Sequence, residues 1–235
     1  MSKRELYFIS GSPPCWTVML ALEVKGWNYR PRRLDNSKRE QNTSAFLTVN
    51  PRGQVPVLID SDLTVCETTA ILCYLDTETP TPPLFGGRPA ETALIWQTIA
   101  ECNDYLQGPI GEISRPLFRG KGVDFKDQIA DAAAKVRGEL GLLEVRLSST
   151  PWIAGDALSA ADLVVYPTVD AVDARCRARG RGNAQLFGIP AGPVFSQSRR
   201  MKRAHQNLAG VRQRLSPALE MKGLRRPAGT RPCPG

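Results

Sequence analysis

The chain has 235 residues, with 31 Lys+Arg against 23 Asp+Glu, a formal net charge of +8 and 42% hydrophobic residues. That composition excludes wholesale disorder and allows one or two domains around a sizeable core. No apolar run approaches the roughly 20 residues that cross a bilayer, and a single histidine rules out His-rich metal sites and argues against a Ser–His–Asp triad.

The net charge conceals an asymmetry. Residues 1–173 carry a charge of −5, and residues 174–235 carry +13 with Glu220 as their one acid. The basic character belongs to the last quarter, while the body is mildly acidic. The opening Met1-Ser2-Lys3-Arg4-Glu5 leads into an apolar stretch too short for a signal peptide, which points to a cytoplasmic protein. Six cysteines, at 15, 66, 73, 102, 176 and 233, form no Cys-x-x-Cys pair and no zinc spacing. They read as free thiols in a reducing compartment, with Cys66, Cys73 and Cys102 as small buried hydrophobes.

In chain order, Glu5–Ser10 predicts a strand. Pro13 and Pro14 open a helix that Val18 to Val24 carry to Gly26, a natural stop. Tyr29–Leu34 predicts a second strand. The polar stretch Asp35–Thr43 precedes a short helix over Ser44–Val49. Val55–Ile59 and Leu63–Cys66 predict two strands joined by the turn Asp60-Ser61-Asp62. Glu67–Thr77 predicts a helix with Ala70, Ile71, Tyr74 and Leu75 on one face. A β-α-β-α-β-β-α order whose last strands form a hairpin makes a small α/β unit with a mixed sheet. Prolines 80, 82, 83 and 89, with Gly86 and Gly87, mark a linker. Beyond it, Ala90–Leu106, Phe125–Leu147 and Ala160–Asp173 have helical periodicity. The expected layout is an α/β domain over 1–79, a linker over 80–89, an all-α domain over 90–173, and a basic, partly disordered tail over 174–235.

Three local sequences carry chemistry. Ser10-Gly-Ser-Pro-Pro-Cys-Trp16 sits at a strand-to-helix turn, where a hydroxyl meets the positive end of a helix dipole and can steady an anion. A simple Ser cap is the plainer reading. Asn50-Pro-Arg-Gly-Gln-Val-Pro-Val-Leu58 places a proline at the entry to a strand. A cis Val55–Pro56 bond would turn the Val55 N–H and C=O outward, able to pair with an extended peptide; an edge-strand proline is the alternative. Glu67-Thr68 opens a helix, where a hydroxyl and backbone N–H groups suit a carboxylate while Glu67 holds an ammonium group. Together the three fit a small zwitterionic peptide bearing a thiol.

Through Ser12-Pro-Pro-Cys-Trp, Asn50-Pro-Arg-Gly-Gln-Val-Pro56, Glu67-Thr-Thr-Ala-Ile71 and Ser159-Ala-Ala-Asp-Leu-Val-Val-Tyr-Pro167, the chain resembles the cytosolic glutathione transferases over about residues 5–173. Gly11-Ser-Pro-Pro-Cys-Trp with Val18-Met19 is similar to the rho class. The resemblance implies a thioredoxin-like N-terminal domain, an all-helical C-terminal domain and a homodimer. It implies that glutathione is a co-substrate and no further cofactor is used. It places Ser12 at the thiolate-stabilising hydroxyl, Val55 at the backbone partner of the cysteinyl unit, and Pro56 at the cis-proline. Glu67 and Thr68 fall at the γ-glutamyl site. Gln54, with Lys38 and Gln41 as looser candidates, falls near the glycyl carboxylate. Ser159 and Asp162 form a structural capping box.

The implied reaction is conjugation of the glutathione thiolate to small hydrophobic electrophiles, in detoxification. Ile95, Trp96, Ile99 and Tyr105 are candidates for an apolar electrophile wall, with core packing the stronger reading of most of them. Cys15 stands three residues inward from the nucleophile position of thiol-reductase relatives, a candidate redox thiol. Tyr7 reads as a packing residue. Residues 174–235 depart from the family pattern, through divergence or an altered reading frame. The alternative function is a non-catalytic or thiol-reductase-like interaction module with a basic tail. With only Phe187 and Phe195 among its basic residues, that tail offers no stacking surface for specific nucleic-acid binding.

Overall fold

A computed structural model of the chain describes residues 4–178. Helix α7 takes in residues 174–178, so the expected tail boundary at 174 is not a helix end, and expectations for the tail beyond residue 178, including Cys233, lie outside the described residues.

The first half is a four-stranded mixed sheet in the order β2-β1-β3-β4. Strand β1 (Arg4–Phe8) runs parallel to β2 (Arg30–Arg33) and antiparallel to β3 (Val57–Asp60), which forms a hairpin with β4 (Leu63–Cys66). Three helices belong to this half: α1 (Pro13–Val24), the one-turn α2 (Ser44–Leu47) and α3 (Thr68–Glu78). Leu6 and Phe8 of β1 are buried, whereas Tyr7, pointing to the opposite face, is half-buried with its ring 5.6 Å from that of Phe46 in α2. Strand β4 has the predicted bounds, whereas β1, β2 and β3 are shorter than the sequence predicts. In particular β3 begins at Val57, so Pro56 precedes the ladder and removes no donor from it.

The second half is helical: α4 (Pro89–Glu101), α5 (Gln107–Phe118), α6 (Lys126–Ser149) and α7 (Ala160–Ala178). Helix α5 is absent from the sequence expectation because Gly108, Pro109, Gly111 and Pro116 argue for a break. The backbone continues through one π-turn, Cys102–Leu106, in which the Gln107 N–H bonds to the Cys102 carbonyl five residues back. Two further expectations need correcting. Cys73 is exposed on α3 rather than buried, and the inward face of α3 carries Leu72 with Ile71 and Leu75, leaving Ala70 outside.

Helix α1 packs against α3 and α7 and shares one core with the sheet residues Leu6 and Leu58, so residues 17–22 are all buried. One continuous apolar cluster therefore runs from Leu6 and Leu58 through Leu20 and Leu22 to Val165. The C-terminal end of α1 is anchored by charge. The Lys25 ammonium is fully withdrawn from water, 2.7 Å from Asp76 Oδ1 of α3, and donates to the Thr79 and Pro82 carbonyls. Asp76 also accepts from the backbone N–H groups of Leu84 (2.7 Å) and Phe85 (3.3 Å). The Leu84 carbonyl in turn accepts from Ala160 N at the start of α7. The proline-rich connection is thus fastened at both ends, and Leu84 and Phe85 are buried.

Of the expected Ser159–Asp162 capping box the structure shows the half in which the carboxylate accepts from the cap N–H. Asp162 is buried and accepts from the backbone N–H groups of Ser159 (2.9 Å) and Ile153 (3.0 Å). The Ser159 hydroxyl donates to the same carboxylate at 2.9 Å.

Two outcomes follow from these buried charges. Asp76→Ala leaves the Lys25 ammonium without a counter-charge and two linker N–H groups without an acceptor. It should cost about 3–5 kcal/mol of stability by urea denaturation. Burial pushes the Asp162 carboxyl up to about 6, above its ordinary 3.8, against the opposing effect of its hydrogen bonds. The folded protein therefore holds a proton that the unfolded chain releases. This contribution to stability is complete below the ordinary carboxylate range and is lost as pH rises through about 6. Over that window the urea midpoint of wild type should fall relative to that of Asp162→Asn, whose side chain does not titrate.

Candidate active site

The strand register assembles the site. Tyr7 pairs with Val57, and Val57 pairs with Cys66. One step further along all three strands lie Phe8, Pro56 and Glu67, at one end of the sheet. The loop leading to Ser12, the residue Val55 and the start of α3 therefore leave the sheet at the same edge. Phe8 also pairs with Arg33, and the Leu34 N–H donates to the Phe8 carbonyl at 2.8 Å. The chain leaving β2 toward Lys38 and Gln41 starts from that edge too.

Ser12 is the N-cap residue of α1 and is half-buried, with its N–H on the Ile9 carbonyl at 3.3 Å. Its hydroxyl makes no capping hydrogen bond, so the plain cap reading does not hold. The two prolines at the start of α1 bring no N–H. The cluster of helix-terminal donors expected beside Ser12 is correspondingly thin, reduced in the first three helical positions to the N–H of Cys15. An anion placed beside Ser12 would rely mostly on its hydroxyl and the helix dipole.

The Val55–Pro56 bond is cis. Val55 is half-buried and lies outside the strand ladder, while Pro56 is buried. Asn50, a residue to which sequence reasoning gave no role, organises the approach. Its buried side chain donates to the Gln54 carbonyl at 2.8 Å and accepts from Arg52 N at 3.1 Å. Its own carbonyl accepts from Gly53 N at 2.9 Å. The signal was available in Asn50-Pro-Arg-Gly53, a turn sequence with an Asx residue at its start. Gly53 has φ +61°, and a Cβ there would lie 3.0 Å from the Gln41 carbonyl and from Asn42 Oδ1. The turn carrying Gln41 is therefore seated directly on the loop carrying Gln54.

Lys38 is largely exposed and 3.9 Å from Asp35, a loose pair that leaves it able to reach across. The Gln41 side-chain amide donates to Asn36 at 3.0 Å, while its buried oxygen has no partner. Gln54 is exposed.

Glu67 precedes α3 in an unusual conformation, φ 69° and ψ 125°. A non-glycine residue pays about 1–3 kcal/mol for such backbone, a feature that the sequence gives no sign of. Its carboxylate makes no capping bond, so the first N–H groups of α3 receive no acceptor from the cap, and Thr68 beside them is half-buried. The end of the sheet thus presents a hydroxyl, an unladdered backbone segment, a helix N-terminus and an exposed carboxylate, an arrangement that suits a short zwitterionic peptide.

Comparison with known proteins gives the family. Residues 2–77 match the glutathione S-transferase N-terminal domain and residues 126–210 the glutathione S-transferase C-terminal domain. The chain is 34% identical over 172 residues to the probable glutathione S-transferase GSTF2 of Oryza sativa, a match that covers 69% of this chain and 78% of that protein. The chain belongs to the glutathione S-transferase family. Among solved structures, a glutathione S-transferase from the Antarctic clam Laternula elliptica is 28% identical with a TM-score of 0.64, covering 79% of this chain and 92% of that one. A glutathione transferase family member from Pseudomonas fluorescens, solved with two glutathione bound, shares the fold at 22% identity and a TM-score of 0.70, covering 86% and 92%.

The remaining candidates of this family member fall away from that edge or into the core. Cys15 is buried, and burial pushes its thiol up, partly offset by hydrogen bonding from Ser12 and the Ile9 backbone. Such a thiol is poorly suited to redox exchange, which needs an accessible thiolate. Ile95 and Ile99 are core residues, Trp96 stacks on Phe85 of the linker with ring centroids 4.9 Å apart, and Tyr105 is exposed. The aromatic surface beside Ser12 is instead Trp16, four residues along α1 on the same side and 5.8 Å from the Tyr166 ring of α7. A cleft lined by Glu101, Leu142 and Arg146 lies between α4 and α6 and shares no residue with the site. Among the described residues no group of His, Cys, Asp or Glu could hold a metal ion, and no helix is long and apolar enough to cross a membrane.

Gly53→Ala tests how tightly the Gln41 and Gln54 segments are seated. The added Cβ meets a backbone carbonyl at a left-handed φ, so the variant should lose about 1–3 kcal/mol in urea denaturation.

Proposed function

We propose that this family member is a glutathione transferase that conjugates the glutathione thiolate to small hydrophobic electrophiles. The observation that carries this reading is the register-imposed meeting of Ser12, Val55 and Glu67-Thr68 at one end of the sheet. Glutathione would lie across that end. The Val55 backbone pairs with its cysteinyl unit, Thr68 and the N-terminus of α3 take the γ-glutamyl carboxylate, and Glu67 takes the ammonium. Gln54, with Lys38 and Gln41, faces the glycyl carboxylate.

A free thiol of pKa about 8.5 is mostly protonated at neutral pH. A hydrogen bond from the Ser12 hydroxyl to sulfur, with the dipole of α1 behind it, favours the anion. The thiol proton passes to solvent, the thiolate forms a carbon–sulfur bond with the electrophile, and the electron pair leaves with the displaced group. Trp16 offers the adjacent apolar surface. The reading includes a homodimer, a detoxifying role in the cytoplasm, no cofactor besides glutathione, and membership of the rho class on the strength of Gly11-Ser-Pro-Pro-Cys-Trp16 with Val18-Met19. The interaction-module alternative leaves this convergence without a purpose. The thiol-reductase form of it is opposed by the burial of Cys15.

Isothermal titration of glutathione into the full chain tests the reading. Wild type should bind at millimolar concentration or tighter, and Thr68→Ala should weaken binding about tenfold by removing a charge-assisted hydrogen bond. Ser12→Ala should bind nearly as well but raise the pKa of the bound thiol and lower conjugation of an aryl chloride about a hundredfold. No heat at millimolar glutathione from folded protein would sink the proposal.

A further inference from the structure

Thr17 is a buried polar side chain that the reaction does not use. Its hydroxyl lies 2.9 Å from the Leu163 carbonyl of α7, a bond between residues 146 apart, and 3.2 Å from the Pro13 carbonyl of its own helix. One proton serves one strong bond, and the shorter contact leads to α7.

The Leu163 carbonyl has a reason to need it. In an α-helix that carbonyl would accept from the N–H of residue 167. Residue 167 is proline, inside α7, which has no N–H and whose ring crowds this same carbonyl. The surroundings are dry, with Leu163, Val165 and Tyr166 all buried, so the group cannot turn to water. An unpaired carbonyl here forfeits about as much as a lost hydrogen bond. Thr17 supplies the missing donor from the other half of the molecule, and next to it Trp16 packs on Tyr166.

We infer that Thr17 is a positioning residue for Ser12. By taking the carbonyl that Pro167 leaves without a helical donor, its hydroxyl fixes the first turn of α1, and the serine at its cap, against the helical half. The bond and its origin stand on geometry alone; their consequence for chemistry rests on the transferase reading.

The test uses the full chain with Thr17→Val, Thr17→Ser and Pro167→Ala. The first readout is native-state hydrogen exchange at Trp16, whose N–H bonds the Ser12 carbonyl at 3.1 Å. Thr17→Val should speed it about tenfold or more and Thr17→Ser by less than about threefold. In the Pro167→Ala background, where residue 167 regains its N–H, Thr17→Val should matter far less. The inference is overturned if Thr17→Val exchanges like wild type, if Thr17→Ser is as fast as Thr17→Val, or if Pro167→Ala does not relieve the effect. Should Thr17→Val not fold, folding restored by Pro167→Ala supports the inference, and failure to restore it while Thr17→Ser folds overturns it.

The second readout is the bound glutathione thiol. Thr17→Val should raise its pKa and lower kcat with KM little changed, and Thr17→Ser should restore both. An unchanged thiol pKa and kcat beside faster exchange would overturn the link to Ser12. Absence of glutathione binding by wild type would instead defeat the transferase reading, with the exchange measurement still deciding the role of Thr17.

Discussion

Residues 17–22 of α1 are buried without a break, so the middle of this helix has no face to give to water; it packs against α3 and α7 and in one core with the sheet. A helix so placed can keep polar groups only where each finds a partner. It keeps two. Thr17 near its start reaches Leu163, and Lys25 just past its end reaches Asp76 and the linker carbonyls. Apolar burial joins the two halves of the molecule, but it is non-directional. The two polar anchors set the position of the helix along its axis, and Ser12 moves with it.

The candidate site follows from where that constraint relaxes. Sheet and helix interiors satisfy their own backbone groups, whereas strand ends and helix starts do not. Nearly every group offered at the site is of the second kind: the Val55 backbone before the β3 ladder begins, the opening of α3, and a Ser12 hydroxyl that spends nothing on capping. The strained Glu67 fits the same pattern. Its positive φ turns the chain sharply from β4 into α3 and leaves the carboxylate outside, an exposed acid at the mouth of a helix dipole. A conventional cap would have closed that helix start against a ligand. Asn50 shows the complementary device, a buried amide that holds the loop ahead of Val55 without entering the site.

What the sequence disclosed and what it hid divide by distance along the chain. The mixed sheet, the position of Ser12 at the start of α1 and the Ser159–Asp162 pairing are written in neighbouring residues and were legible there, as was the cis Val55–Pro56 bond as one of two readings. Helix α5 was not, because Gly108, Pro109, Gly111 and Pro116 speak against it locally and the packing of Ile110, Ile113 and Leu117 outweighs them. The thin donor set at the start of α1 could have been read, since Pro13 and Pro14 announce their missing N–H groups. The exposure of Cys73 could not, because a thiol in an apolar segment carries no sign of which face it takes. Least legible were the bonds that fix the site in place, Lys25 to Asp76 across 51 residues and Thr17 to Leu163 across 146. A lone Thr or Lys in a helix looks ordinary until the fold brings its partner. Yet one half of the longer pair was on display. A proline within a helical pattern declares that the carbonyl four residues earlier lacks a donor, and a buried helix cannot borrow one from water. Pro167 therefore announced that something must come to Leu163, although only the packing of α1 against α7 could say that it was Thr17.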